Sequence, residues 1–337
     1  MTATQAAVIL GCAGPDLLPD EAAFFRDADP WGFILFARNV ESPARLRRLT
    51  SDLRAAVGRN APIFTDQEGG RVQRLRAPHW REWTPPLDFV TAAGPRAARA
   101  LWLRYRLIAH ELRGVGIDGN CSPCLDVARA ETHPFLRNRC LADDAATVAR
   151  LGRAVADGHL DGGVLPVVKH LPGHGRGVSD SHHDLPVTDV DLGTLTATDF
   201  APFAALSDLP LAMTAHVVFR ALDDKPATQS PATIAHIRNA LGFDGLLITD
   251  DLSMQALSGT IAGRAANSVA AGCDVALYCK AEMPDAVAVV TAVGAMTRQA
   301  QARADRALKA RRPPEPVDIA ALEAELRGLL NGAVHAG

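Results

Sequence analysis

The chain has 337 residues, 48% of them hydrophobic, enough to bury a large core. That length exceeds the commonest single domain, but closed barrels of alternating strands and helices reach it as one unit. With 35 basic and 38 acidic residues the formal net charge is -3, so no basic excess points to nucleic acid, and no run of about 18 apolar residues is available to span a membrane.

Short apolar runs recur along the chain, each followed by a segment with helical spacing. AAVIL at 6–10 is the first. The opening MTATQAAVILGCAG lacks a basic n-region, so it reads as a buried strand rather than a signal peptide. GFILF at 32–36 is the second run. Ser42 and Pro43 then supply an N-cap and a first helical residue. Leu46, Leu49, Leu53 and Val57 share one helical face, which Gly58 ends. APIFTD at 61–66 is the third strand, followed by an insert with Trp80, Trp83 and several prolines. Leu101, Tyr105, Ile108 and Leu112 mark a helix, and GIDGNCSPCLDV at 116–127 is read as holding the fourth strand. Val148, Leu151 and Val155 mark the next helix. GVLPVVKH at 163–170, LPLAMTAH at 209–216, GLLITD at 245–250 and CDVALYC at 273–279 complete the set.

Eight such strands alternating with helices predict an α/β fold, a single-domain (β/α)8 barrel of the TIM type over 1–310. The strands are apolar on both faces, as a sheet covered by helices requires. No Gly-rich dinucleotide fingerprint follows the first strand, which counts against a doubly wound sheet. The Pro-rich stretch RRPPEPVD at 311–318 marks the end of the barrel. The remainder, to 337, is expected to place a helix with Leu322, Leu326 and Leu329 back against it.

There are six cysteines, too few for a disulfide framework in so long a chain. Cys121 and Cys124 form a CxxC, but a metal or redox motif would want a second pair or a helix opening just after it. They are read as core cysteines, and the location expected is cytoplasmic.

Charge collects at strand ends. Asp66 closes the third strand, Asp126 the fourth, Lys169 and His170 the fifth, His216 the sixth, and Asp250 with Asp251 the seventh. In a barrel all of these meet at one face, where active sites are built. Asp250 and Asp251 are adjacent and point different ways, so at most one reaches a ligand directly. Lys169, Arg74 and Arg139 are available to pair with them. A structural ion-pair network around the barrel mouth is the competing reading.

DQEGGRVQRL at 66–75 reads as a loop at the barrel mouth. Asp66 could accept two sugar hydroxyls, Arg74 could donate to a hydroxyl or amide, and Glu68 is read as bracing the loop. KHLPGHGRGVSDSHHDLP at 169–186 holds four histidines, and its glycines at 173, 175 and 177 suggest a mobile loop. Asp180 and His182 lie two apart, so the carboxylate can orient the imidazole and raise its pKa for proton transfer. The histidine cluster also leaves a metal site open.

DQEGGRVQRL, KHLPGHG followed by DSH, the AH of LAMTAH, and LGFDGLLITDDLSM, in that order, resemble glycoside hydrolase family 3 over roughly residues 5–285. Within it they are most similar to the bacterial cytoplasmic β-N-acetylglucosaminidases of peptidoglycan recycling. The resemblance implies a (β/α)8 barrel with Asp250 as nucleophile and His182 as general acid/base, assisted by Asp180. It implies sugar-binding roles for Asp66, Arg74, Arg139, Lys169, His170 and His216. Arg139 sits in NRC, where the family usually has an Arg-Ser pair after an acidic residue, and Leu171 replaces a more usual Phe.

The expected reaction is retaining. Asp250 attacks the anomeric carbon while His182 protonates the leaving oxygen, and the glycosyl ester is then hydrolysed by water that His182 activates. Larger relatives, including β-glucosidases, take their acid from a domain after the barrel. This chain is too short to hold one, which favours the glucosaminidase branch. The expected substrate is N-acetylglucosamine linked β-1,4 to 1,6-anhydro-N-acetylmuramic acid, with or without peptide. No metal or organic cofactor, no nucleic acid and no membrane partner is expected, and a monomer is the default. A β-glucosidase-like or phosphorolytic activity and a noncatalytic sugar-binding barrel are the alternatives.

Overall fold

The apolar run at the start of the chain forms strand β1 (Ala6–Gly11), buried along its whole length, and Pro30–Leu35 forms β2 in the same way. The computed structural model describes residues 4–177 and 184–330. The strands that follow are β3 (Ile63–Thr65), β4 (Gly119–Asn120), β5 (Leu165–Leu171), β6 (Leu211–Thr214), β7 (Leu246–Asp251) and β8 (Val275–Tyr278). All neighbouring pairs are parallel, and β1 bonds to both β2 and β8, so the sheet closes on itself as an eight-stranded barrel. Closure removes every free edge, and the surrounding helices bury the outer face.

The helices begin where side chains cap them. Ser42, Asp144, Asp191, Ser230 and Thr260 each accept a backbone N–H of the first turn of the helix they precede. Gly58 closes Pro43–Val57 at φ 65°, as the sequence predicted. The two longest helices, Ala97–Arg113 and Ala145–Asp161, pack side by side. A Cβ on Gly158 would stand 2.6 Å from the Trp102 carbonyl, so a glycine is needed for their close approach. Helix Ile319–Leu329 packs on Ala97–Arg113 with Leu326 buried.

The fourth strand lies within the predicted 116–127 segment and is short. Only Gly119 and Asn120 pair regularly, after which the chain follows β5 irregularly: Val167 N–H donates to Ser122 O, Lys169 N–H to Pro123 O and Leu125 N–H to Lys169 O. Pro123 has no N–H to continue a ladder. The insert around Trp80 and Trp83 also contains elements that were not predicted, a two-stranded hairpin (Gln67–Gly69 with Val72–Gln73) and helix Pro86–Ala93.

Register shifts fall in β5 between Lys169 and Leu171 and in β7 between Ile248 and Asp251. Irregularities of this kind re-aim side chains at the mouths of barrels. Both lie where the charged residues emerge.

Candidate active site

The site is assembled from the carboxyl ends of β3, β4, β5 and β7. After β3 the hairpin folds back over the barrel mouth. Its turn needs glycine: a Cβ on Gly69 (φ 115°) would stand 1.9 Å from the Arg104 guanidinium, and one on Gly70 (φ 59°) 2.8 Å from Pro85. That close approach lets buried Arg104 donate to the Glu68 carbonyl, which also accepts from the Tyr105 hydroxyl at 3.1 Å. Glu68 is thereby turned inward. Its carboxylate receives two bonds from Arg139, at 2.8 and 2.9 Å, and one contact from Lys169 at 2.6 Å. Asp66 receives Lys169 at 3.0 Å and Arg74 at 2.9 Å.

Two carboxylates and three cations thus form one network. Burial by itself would push both acids up. Lys169 and Arg74 overcome it at Asp66, holding that carboxyl well below its usual range. Arg139 and Lys169 do the same at Glu68, which falls to about 2. Burial lowers the Lys169 ammonium, but Asp66 and Glu68 more than restore it. All five groups are charged at neutral pH. The three cations, proposed from the sequence as partners of the Asp250–Asp251 pair, are instead committed to Asp66 and Glu68.

Asp126, fully buried, fixes the next group. It accepts the His170 Nδ1–H at 2.7 Å, the His174 backbone N–H at 2.6 Å and the Cys124 thiol at 3.1 Å. With its proton on Nδ1, the His170 ring keeps Nε2 for the cavity side, 3.5 Å from Arg139 Nη2. Cys124 Sγ, Asp126 Oδ2 and His170 Nδ1 lie within 4.8 Å of one another, a spacing that could hold a metal ion. The two hydrogen bonds to Asp126 account for the same geometry, with protons in the ligand positions.

The root of the glycine-rich loop is packed rather than loose. A Cβ on Gly175 would stand 2.0 Å from the Val127 carbonyl, one on Gly173 2.9 Å from the Asp199 carbonyl, and one on Gly177 2.7 Å from the His174 ring. Over 172–177 these glycines serve close contact. The buried His174 ring lies edge-on to His170, and burial lowers its pKa to about 4. Asp180 and His182 lie outside the described residues.

At the end of β7, Asp251 turns toward the protein. It accepts Ser253 N–H at 3.0 Å, the Ser253 hydroxyl at 2.5 Å and Cys279 N–H at 3.2 Å. Asp250 faces the other way, into the cavity. Its Oδ1 accepts only the Asp251 N–H at 2.8 Å, and among the described residues it makes no ion pair. Burial raises its pKa, but the net shift is downward because of His170, His216, the Asp251 amide and Lys169. Asp250 is therefore an anion with an oxygen left uncommitted among the described residues.

Asp66, Arg74, Arg139, Lys169, His170 and Asp250 line one cavity. His216 is not among the residues that line it. It is fully buried, with Nδ1 2.8 Å from the Thr228 hydroxyl and Nε2 3.1 Å from the Asp251 carbonyl. Burial lowers its pKa against the pull of Asp250, so it is a neutral brace behind the aspartate pair. Glu68 and His174 were not assigned to the site from the sequence, and Asp126 was noted only as a strand-end charge. The signal for Glu68 was its place beside two glycines that bring the backbone inward.

The geometry has counterparts among known proteins. Residues 21–310 match the glycosyl hydrolase family 3 N terminal domain. A beta-hexosaminidase of Bordetella avium is 38% identical over 280 residues, 81% of this chain and 80% of that protein. The structure of NagZ from Neisseria gonorrhoeae in complex with N-trifluoroacetyl-D-glucosamine matches with a TM-score of 0.85 at 30% identity, covering 97% of this chain and 98% of that one. A family 3 beta-N-acetylglucosaminidase from Paenibacillus sp. str. FPU-7 matches with a TM-score of 0.79 at 29% identity, and this chain spans 62% of its length. A barrel with charged groups gathered at the carboxyl ends of its strands, and a family match running through every strand from β2 to β8, lead to one conclusion: the chain belongs to glycosyl hydrolase family 3.

Proposed function

We propose that this protein is a retaining exo-β-N-acetylglucosaminidase. It releases terminal N-acetylglucosamine from cell-wall muropeptides, with N-acetylglucosamine linked to 1,6-anhydro-N-acetylmuramic acid as the substrate, with or without peptide. The observation that carries this reading is the state of Asp250, an anion at a strand end that faces the cavity with no paired cation among the described residues. A carboxylate so placed can attack an anomeric carbon. The names of the relatives, beta-hexosaminidase and beta-N-acetylglucosaminidase, support the sugar.

In this mechanism Asp66 accepts hydroxyl protons of the sugar, while Lys169, Arg74 and Arg139 donate to its oxygens. His170 presents Nε2 to the same ring. Asp250 displaces the aglycone and forms a glycosyl ester. His182, held by Asp180, donates the proton to the leaving oxygen and then takes one from the incoming water. The setting proposed is the cytoplasm, which six free buried thiols fit.

The test is turnover of an aryl β-N-acetylglucosaminide beside the matching β-glucoside, for wild type and Asp250→Ala. Turnover of the first alone, lost in the variant, supports the reading. Preference for the glucoside, or full activity in the variant, overturns it. Mass spectrometry of protein quenched during turnover of an activated fluoro-sugar checks for the ester on Asp250.

A further inference from the structure

A recess at the amino end of the barrel, opposite the catalytic cavity, holds more positive charge than its surroundings balance. Arg54, Arg113, Arg311 and Arg312 line it, and among the described residues Asp118 is the one carboxylate on its wall. Four arginines and one aspartate give the lining a formal charge of +3, in a chain whose net charge is -3. At the same end, Arg238, Arg303 and Arg306 share two aspartates, Asp244 and Asp274.

Asp118 has no capacity left for the excess. Its Oδ1 accepts the Ile63 N–H at 2.8 Å, and its Oδ2 accepts Arg54 at 3.1 Å and pairs with Arg311. Arg113 donates to the Gly163 carbonyl at 3.1 Å and forms no ion pair among the described residues. The Arg312 side chain meets no polar partner among them. Burial lowers the Arg54 pKa, and the like charges of Arg311 and Arg113 add to that lowering against the pull of Asp118.

The backbone brings these cations together. A Cβ on Gly163 (φ 71°) would stand 2.6 Å from the Arg312 carbonyl and 3.3 Å from Arg113 Cδ. The glycine therefore lets the Pro-rich segment 311–314 lie against the end of helix Ala97–Arg113. Just beyond it, Glu315 N–H donates to the Asp161 carbonyl at 2.9 Å, and Arg311 donates to the Asn60 carbonyl at 3.3 Å. Cations held in place this way repel one another, and a bound anion relieves the repulsion.

We propose that this recess binds a phosphate dianion, free or as the monoester group of a small molecule, with Arg113 and Arg312 as its main donors. Planar guanidinium groups meet phosphate oxygens in pairs, and a dianion offsets more of the excess than a carboxylate does. Ile117, Leu308 and Pro313 offer an organic group an apolar surface. The recess shares no lining residue with the catalytic cavity, and the inference stands apart from the glycosidase reading.

Calorimetry at matched ionic strength measures binding of inorganic phosphate and of phenyl phosphate. The proteins are wild type, a double variant carrying Arg113→Gln and Arg312→Gln, and Arg74→Gln in the catalytic cavity. Arg113 and Arg312 are exposed, so the double variant leaves the core intact, and thermal unfolding checks that each protein is folded. Wild type is expected to bind at one saturable site. Kd should rise about tenfold in the double variant, roughly threefold for each arginine, and stay unchanged in Arg74→Gln. Tighter phenyl phosphate identifies an organic phosphate as the occupant, and equal or tighter inorganic phosphate identifies the free ion. No saturable binding in wild type overturns the proposal, as does an unchanged Kd in the double variant. A loss confined to Arg74→Gln also overturns it, since the anion then sits in the catalytic cavity. So does acetate that competes as well as phosphate, which is the behaviour of general screening.

Discussion

The two ends of the barrel hold buried carboxylates of different kinds. At the amino end, Asp118 just before β4 accepts Ile63 N–H at 2.8 Å and Arg54 at 3.1 Å, and pairs with Arg311. Asp274 just before β8 accepts Leu247 N–H at 2.9 Å, Arg238 at 2.6 Å and Arg303 at 3.0 Å. Both oxygens of each acid are met by protein, and the result is a staple between strand, helix and C-terminal segment. At the carboxyl end Asp66 and Glu68 are paired as fully, but at the cavity rim. Among the described residues Asp250 is left with a single backbone amide. Burial and charge occur at both ends. What sets Asp250 apart, and carries its proposed role as the reacting group, is that it pairs with no cation among the described residues.

The largest effect should come from removing that group. Asp250→Ala is expected to lower kcat/KM on an aryl glucosaminide by about 10^4 or more while leaving thermal stability equal or raised, since no described ion pair is broken. A Tm loss of the size seen for a staple would place Asp250 among the structural acids instead.

Asp126→Asn comes next. The amide can no longer serve as an anionic acceptor for His170, His174 and Cys124 together, so His170 loses its fixed tautomer. We expect kcat/KM to fall about 10^2-fold. Unchanged kinetics in a folded variant would remove Asp126 from the positioning of His170.

Glu68→Gln sharpens the comparison within the cavity rim. Arg139 and Lys169 keep their places but lose a shared anion, so KM should rise about tenfold with a smaller change in kcat. The variant also has a pH signature. Because folding lowers Glu68 from 4.5 to about 2, its contribution to stability is present above pH 4.5 and is lost as pH falls through about 2. Chemical denaturation across that window should show a shallower acid slope in Glu68→Gln than in wild type.

On activity the smallest effect belongs to the amino end. Asp274→Asn should leave kcat/KM per folded molecule unchanged while reducing stability by about 3 kcal/mol, because Arg238 and Arg303 lose their anion. A tenfold loss of kcat/KM at full folding would erase the functional distinction between the ends.

Much of this was legible in the one-dimensional pattern. The strand and helix order, the Ser42 cap, the Gly58 stop and the charged strand ends follow from local rules, and each holds in the structure. The fourth strand occupies only part of the segment that was read as holding it, where Pro123 lacks a donor. His216 sits at a strand end like the others, yet its two nitrogens are taken by Thr228 and the Asp251 backbone, residues distant in the chain.

The amino-acid order by itself determined the barrel and the end of it where charge would gather, because strand period, helix period and capping act over a few residues. Which carboxylate keeps a free oxygen was decided only in three dimensions. Lys169 stands 103 residues from Asp66, and Arg139 stands 71 from Glu68. Coulomb attraction and desolvation act on distance in space. Only the closed barrel brings those cations to Asp66 and Glu68 and leaves Asp250 facing the cavity with none among the described residues.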